Sequence, residues 1–417
     1  SARKDERRLA FQKTVAMRFE FTSPTRIVFG AGTLREAAPA ARSFGHHAFV
    51  VTGRDSSRAA PLLAQLAAEK LAATTFALAG EPTTDDIAAA TARARAGGCD
   101  VVIGFGGGSA LDAAKAVSAL LTNAGDLFDY LEVIGRGAPL TRAAAPCIAI
   151  PTTAGTGSEV TRNAVLSASL PPVGPALVAV PPEVLPFARV KVSLRSPLML
   201  PRLALIDPEL TYDLPPALTA STGLDALTQL IEPFVSCRAN PYTDALCADG
   251  LCRAAPALRR AFHDGSDAAA RADLSLAALY SGLALANAGL GAAHGFAAPI
   301  GGAFSAPHGA VCAALLPHTI EINLRAARAR QPDGETARRY TRIARWLTAN
   351  ADATADDAAP FARDLVAELE TPPLRAYGLA SSHIGTLVEQ AARASSMKAN
   401  PLPLTTDELT EILTRAL

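Results

Sequence analysis

The chain changes its pattern of apolar and polar positions near residue 207. Before that point, short continuous apolar runs alternate with alanine-rich stretches of helical character. The runs are Ile27-Val-Phe, His47-Ala-Phe-Val-Val-Thr52, Asp100-Val-Val-Ile-Gly-Phe105, Cys147-Ile-Ala-Ile-Pro151, Val190-Lys191-Val192 and Leu203-Ala-Leu-Ile-Asp207. Strands spaced by helical stretches predict a parallel sheet covered on both faces. After Asp207 strand signals almost vanish. Leu214-Pro215-Pro216 can open a helix, because proline is tolerated in the first turn, and long Ala- and Leu-rich segments follow. The pattern predicts an α/β domain over residues 17–210 and an all-α domain over residues 211–417, and 417 residues is more than one core usually organises.

Three stretches break the pattern. Residues 167–189 carry repeated prolines, which remove donors and exclude a regular helix, so an extended insertion or flap is expected. Residues 274–293 hold no charge and could span a bilayer by length, yet their Ala, Gly, Ser and Asn content predicts a helix buried in a globular domain. Residues 1–16 are charged and lack an apolar signal region, so they read as a tag or an alternative-start extension ahead of Met17.

Composition narrows the partners. The 39 basic residues balance 39 acidic ones, which leaves no electrostatic footprint for nucleic acid or an anionic membrane and points to small-molecule chemistry. Cys99, Cys147, Cys237, Cys247, Cys252 and Cys312 are scattered without paired spacing. They predict no disulfide framework, only thiols in a reducing, cytoplasmic setting.

Two loops carry candidate binding chemistry. The strand ending at Phe105 runs into Gly106-Gly107-Gly108-Ser109-Ala-Leu-Asp112-Ala-Ala-Lys115, which continues as a helix. Glycines at a strand-to-helix turn let backbone approach a diphosphate, and the helix start presents free N–H groups. The glycine order differs from the usual G-x-G-x-x-G, and a ligand-free tight turn uses glycine as well. The strand ending at Pro151 leads into Thr152-Thr153-Ala-Gly-Thr156-Gly-Ser-Glu-Val-Thr161, a hydroxyl-and-glycine loop where open α/β sheets bind ligands.

A second constellation lies in residues 224–317. Asp225 and Gln229 stand one helical turn apart on the same face, and His294 and His308 arrive from later segments. A carboxylate with imidazoles suits iron, zinc or another first-row divalent ion, whereas the neutral amide of Gln229 is a poor ligand.

Taken together, these motifs resemble the iron-containing (group III) alcohol dehydrogenases, relatives of maleylacetate reductases, glycerol dehydrogenases and dehydroquinate synthases. The carriers are residues 106–115, residues 151–161, Asp207-Pro-Glu-Leu, Thr222-Gly-Leu-Asp-Ala-Leu-Thr, His294-Gly and Pro307-His308-Gly. The resemblance implies a Rossmann-like N-terminal domain, a helical C-terminal domain and a cleft for NAD(P) and a metal, in a dehydroquinate synthase-like architecture. It implies a cofactor site at Gly53, Gly106, Gly107, Gly108, Ser109, Asp112, Thr152, Thr153, Thr156 and Lys191, with metal ligands Asp225, Gln229, His294 and His308. Gln229 stands where the family has a histidine, and Ala298 where it often has a second histidine for proton relay. Two schemes follow: a divalent ion held by three strong ligands and an amide oxygen, or a metal-free pocket in which His294 or His308 handles the proton. Gly53 replaces an aspartate common in NAD-preferring relatives, which favours acceptance of NADP, with Arg54 or Arg58 available to the extra phosphate. The expected activity is interconversion of a small alcohol and its aldehyde or ketone by a homodimer or larger assembly. The rivals are oxo-acid reduction of the maleylacetate type, served by Arg162, Arg195 or Arg238, and a homologue that binds nucleotide with little turnover.

Overall fold

The structure is a computed structural model and describes residues 18–169, 189–304 and 306–417. The 1–16 extension and most of the proline-rich stretch, residues 170–188, lie outside the described residues.

Six strands form one parallel sheet. They are β1 (Arg26–Phe29), β2 (His47–Thr52), β3 (Ala72–Ala77), β4 (Val101–Gly106), β5 (Cys147–Pro151) and β8 (Leu203–Ile206), arranged in the order β1-β8-β5-β4-β2-β3. Two more strands, β6 (Asn163–Ser169) and β7 (Arg189–Arg195), pair antiparallel beside it, so the expected insertion is flanked by a strand at each end. The central strands are buried along their whole length, as a sheet covered on both faces requires. One face packs on α1 (Ala37–Phe44) and α2 (Ala60–Ala68), through Ala38 and Ala41 of the first and Leu62 and Leu66 of the second. The other packs on α3 (Thr84–Ala96) and α4 (Gly108–Thr122), through Ile87, Ala90, Val117 and Leu120.

The chain leaves β2 toward β3 on one side, then returns to place β4 on the other. The carboxyl ends of β2 and β4 therefore flank a topological switch point, where open α/β sheets bind ligands. Gly53 follows β2 and Gly106 ends β4. A Cβ built on Gly106 (φ +156°) would stand 2.8 Å from the Ala110 Cβ and 3.3 Å from the Gly53 nitrogen. Glycine is needed there because the two turns touch.

The helical half opens with α5 (Pro216–Val235), which has proline in its first turn as predicted. Then come α6 (Pro241–His263), α7 (Ala268–Ala288), α8 (Ala292–Ala303), α9 (His308–Arg330), α10 (Glu335–Thr348) and α11 (Ala358–Glu368). The last two are α12 (Ile384–Arg393) and α13 (Thr406–Arg415). Leu224, Leu227, Ile231 and Phe234 of α5 form the centre of its core with Leu251, Leu258, Leu316 and Ile320. The uncharged stretch at 274–293 does not make one span: α7 ends at Ala288 and meets α8 at 99°. Among the described residues no single helix is long and apolar enough to cross a membrane.

Candidate active site

The two halves face each other across a cavity of about 640 Å³. On the sheet side, Gly107, Gly108, Ser109 and Asp112 line it from the start of α4, and Thr153 and Thr156 from the loop after β5. No side chain caps α4, whose N-cap is Gly107, so the N–H groups of Gly108 and Ser109 remain available to an anion, while that of Ala110 donates to the Gly107 carbonyl at 3.0 Å. Lys191 of β7 reaches the cavity with its Nζ on Glu81, 2.7 Å away. Gly53, Gly106 and Thr152 do not line it; the Thr152 N–H instead donates to the Gly106 carbonyl at 2.9 Å and joins the two loops.

Asp112 is committed elsewhere. One carboxylate oxygen accepts from the Ser158 hydroxyl, the other accepts from the Val165 N–H at 2.9 Å, and Lys115 lies 2.9 Å away. Lys115 is fully buried and donates to the Ser158 carbonyl, the Ser158 hydroxyl and the Thr161 hydroxyl. This network clamps the 152–161 loop onto α4. The arginines expected to receive a phosphate are also engaged. Arg54 donates twice to the Ala79 carbonyl, and Arg58 donates to the Leu210 carbonyl and to Asp213.

On the helical side, Asp225, Gln229, His294 and His308 all line the same cavity. His294 Nε2 is 3.3 Å and His308 Nε2 3.7 Å from the same oxygen of Asp225, whose other oxygen accepts from the Thr156 hydroxyl at 2.7 Å. Two residues that the motifs did not point to complete the centre. Glu232, buried on α5, holds His294 Nδ1 at 2.7 Å and also accepts from the Ala293 N–H at 2.7 Å. Cys312, one turn after His308 on α9, brings its Sγ to 3.9 Å from His308 Nε2. Single donor atoms of Asp225, His294, His308 and Cys312 all lie within 4.8 Å of one another. Both signals were present in the chain: Asp225, Gln229 and Glu232 share one helical stripe, and Cys312 follows His308 by four.

Gln229 is arranged differently from a simple fourth ligand. Its Nε2 donates to the Thr156 carbonyl at 2.9 Å and to the Ser281 hydroxyl at 3.2 Å. Its Oε1 is buried with no hydrogen-bond partner. An orphaned acceptor and four donor atoms around one point fit a divalent cation. Ala298 lines the cavity without an imidazole.

Electrostatics sort the ligand groups. Burial would raise Asp225, but the His308 and His294 imidazoles and hydrogen bonds from His294 and Thr156 hold its carboxyl at about 2. Burial pushes His308 down to about 4 against the pull of Asp225. Burial opposes protonation of His294 too, yet Cys312, Glu232 and Asp225 around it raise it well above its usual value. An ionised carboxylate and a neutral imidazole are the forms a cation binds, so Asp225 and His308 already hold them, whereas His294 must release its proton when a cation enters.

A Rossmann-like sheet and a helical domain, with a glycine-rich helix start and a cluster of possible metal ligands on one cavity, define a two-domain dehydrogenase architecture. The first half, residues 24–208, matches the model of the iron-containing alcohol dehydrogenases, and residues 219–417 match that of the Fe-containing alcohol dehydrogenase C-terminal region. The chain belongs to the iron-containing alcohol dehydrogenase family, whose cofactors are NAD(P) and a divalent metal. It is 33% identical to Probable alcohol dehydrogenase EutG of Salmonella typhimurium over 402 residues, 95% of this chain and 94% of that protein. Alcohol dehydrogenase from Oenococcus oeni superposes with a TM-score of 0.84 at 28% identity, covering 96% of this chain and 100% of that one. Sulfoacetaldehyde reductase from Bifidobacterium kashiwanohense, solved with NAD+, gives 0.80 at 27% identity over 96% and 98%.

Proposed function

We propose that this chain is an NAD(P)-dependent oxidoreductase that interconverts a small alcohol and its aldehyde or ketone by hydride transfer. Residues 17–210 hold the dinucleotide, and residues 211–417 supply the ligands of a divalent iron or zinc ion. One observation carries this reading: the uncapped start of α4 and the Asp225, His294, His308 cluster open on a single cavity. A cation bound there would act as a Lewis acid on the alcohol or carbonyl oxygen. The chain prepares the place for it. Thr156 aims Asp225, and Glu232 accepts from Nδ1–H of His294, which turns Nε2 toward the cluster, where loss of its proton would free a lone pair for a cation. Ala298 puts no imidazole on its part of the wall, so proton exchange there falls to water.

NADP acceptance rests on the missing carboxylate at Gly53, where an added Cβ meets nothing within 4 Å, and not on Arg54 or Arg58. Asp55 accepts from the Ser57 N–H and hydroxyl, which accounts for its carboxyl without a role toward the ribose. On the family resemblance, the enzyme acts in the cytoplasm as a homodimer or larger assembly.

A second reading has its own observation. Arg162, Arg195 and Arg238 line the cavity beside Lys191, which favours a substrate carrying a carboxylate. The deciding experiment follows oxidation of NADH and NADPH against aldehydes and oxo-acids, with protein chelated and then reloaded with zinc or ferrous ion. Turnover restored by reloading supports the proposal, and preference for oxo-acids selects the second reading. No turnover with any pair would leave only a nucleotide-binding homologue.

A further inference from the structure

The family position of the missing histidine is occupied by Gln229, yet the cluster has four strong donor atoms. Their fourth member is a thiol. Cys312 is fully buried on α9, its Sγ lies within 4.8 Å of the donor atoms of Asp225, His294 and His308, and the two donors of α9 are one turn apart. Independently, Gln229 is fully buried, lines the same cavity and leaves its Oε1 without a partner, an acceptor for a group the protein itself does not supply.

We propose that Cys312 is the fourth protein ligand of the divalent cation, a thiolate that substitutes for the absent histidine and gives an Asp225, His294, His308, Cys312 donor set. This rests on the metal-dependent reading above. Of the two candidates for fourth donor, a thiolate carries charge and is a strong ligand for zinc and ferrous ion, whereas a neutral amide oxygen is weak. The thiol proton leaves to water when the cation binds. Gln229 serves the site in another way. Its amide nitrogen is tied to Thr156 and Ser281, so the free Oε1 is held as a fixed acceptor for an O–H group at the site. A sulfur ligand also shifts selectivity toward zinc over the hard ions magnesium and manganese.

The test is cobalt(II) substitution of the full chain, read by absorption without any turnover. A tetrahedral-type cobalt spectrum with a near-ultraviolet sulfur-to-cobalt charge-transfer band is expected in the wild type. In Cys312→Ala the visible cobalt bands should persist while the charge-transfer band disappears, and zinc affinity by chelator competition should fall by at least about tenfold, the lower end of what loss of an outer partner costs. Gln229→Ala should keep the band. Visible cobalt bands with no charge-transfer band in the wild type would overturn the proposal and leave the metal-dependent enzyme intact. Failure to bind cobalt at all would overturn both, and NAD(P)H oxidation by the same sample would then decide for the metal-free scheme. Circular dichroism of Cys312→Ser separates a lost ligand from a lost fold: a folded variant that retains the band refutes the assignment.

Discussion

Replacing Gly282 by alanine probes a close backbone contact between the two halves of the molecule. A Cβ on Gly282 of α7 would stand 2.3 Å from the Gly157 carbonyl oxygen and 2.8 Å from both the Gly157 Cα and the Val160 Cγ2. Ordinary contact is roughly 3.5 Å, so the helix and the loop must part by about 1 Å. Gly157 cannot easily give way, because it holds φ +66° and its own Cβ would meet the Ala278 carbonyl at 2.4 Å. Parting also stretches the Ser281 hydroxyl to Gly155 carbonyl bond at 3.2 Å and the Gln229 amide to Thr156 carbonyl bond at 2.9 Å. Overpacking costs about 1–3 kcal/mol and each weakened hydrogen bond about 1 kcal/mol. The helix-propensity gain of alanine returns about 1 kcal/mol, so a net loss of about 2–4 kcal/mol is expected. The assay is the denaturant midpoint with its slope checked against wild type. Gly385→Ala in α12 is the control, because a Cβ there meets nothing within 4 Å, and its stability should equal wild type or exceed it by up to about 1 kcal/mol. If Gly282→Ala is as stable as that control, the backbone contact does not exist as described.

Three further outcomes can be checked separately. Gly53→Asp should weaken NADP more than NAD, since a carboxylate and a phosphate about 4 Å apart repel by about 4 kcal/mol at an effective dielectric of about 20, before screening by salt; equal changes in both dissociation constants would remove Gly53 from the adenosine end. Glu232→Gln should lower zinc affinity by about 10–100-fold through loss of the carboxylate on His294 Nδ1, and an unchanged chelator-competition curve would deny it that positioning role. Burial raises Glu159 from 4.5 to about 7, so the folded state holds its proton more tightly than the unfolded chain. That contribution is fully present below pH 4.5 and is lost as pH rises through 7, a change of about 3 kcal/mol that Glu159→Gln should abolish; identical stability profiles for variant and wild type would refute it.

The strands that build the cofactor side were legible because a sheet covered on both faces leaves continuous apolar runs, as in β4 and β5, and the loops after them carry glycine and threonine in a recognisable order. β3 was missed: its Ala-Ala-Thr-Thr-Phe-Ala sequence sits at the sheet edge, half exposed, where packing demands little and alanine reads as helix. β6 was hidden by the prolines that follow it. In the site, Asp225, His294 and His308 could be grouped from their motifs, and the fold brings them together. Glu232 could have been found, since a carboxylate inside the apolar run Leu230-Ile-Glu-Pro-Phe234 must be paired if buried. The orientation of Gln229 was beyond reach. It depends on Thr156 and Ser281, which lie 73 and 52 residues away. The same holds for Arg54 and Arg58, whose partners on Ala79 and Asp213 only the fold supplies.

The loop at 152–161 explains why the two halves of the site cannot be altered independently. Thr153 stands against Gly107, where a Cβ would come within 3.3 Å of the Thr153 hydroxyl, so the loop shapes the cradle at the start of α4. Three residues on, Thr156 donates to Asp225 through its hydroxyl and accepts from Gln229 through its carbonyl. Two residues further, Ser158 is gripped by Lys115 and Asp112. One segment thus sets the distance between the start of α4 and the Asp225, His294, His308 cluster, with a buried lysine fixing it to the sheet side and α7 to the helical side. A buried cation would be a liability if its acceptors moved, and Lys115 keeps them by holding the loop in one conformation. Rigidity at this crossing would let residues from α5, α8 and α9 meet a cofactor held at the start of α4 at a fixed separation, the condition under which proximity lowers a barrier.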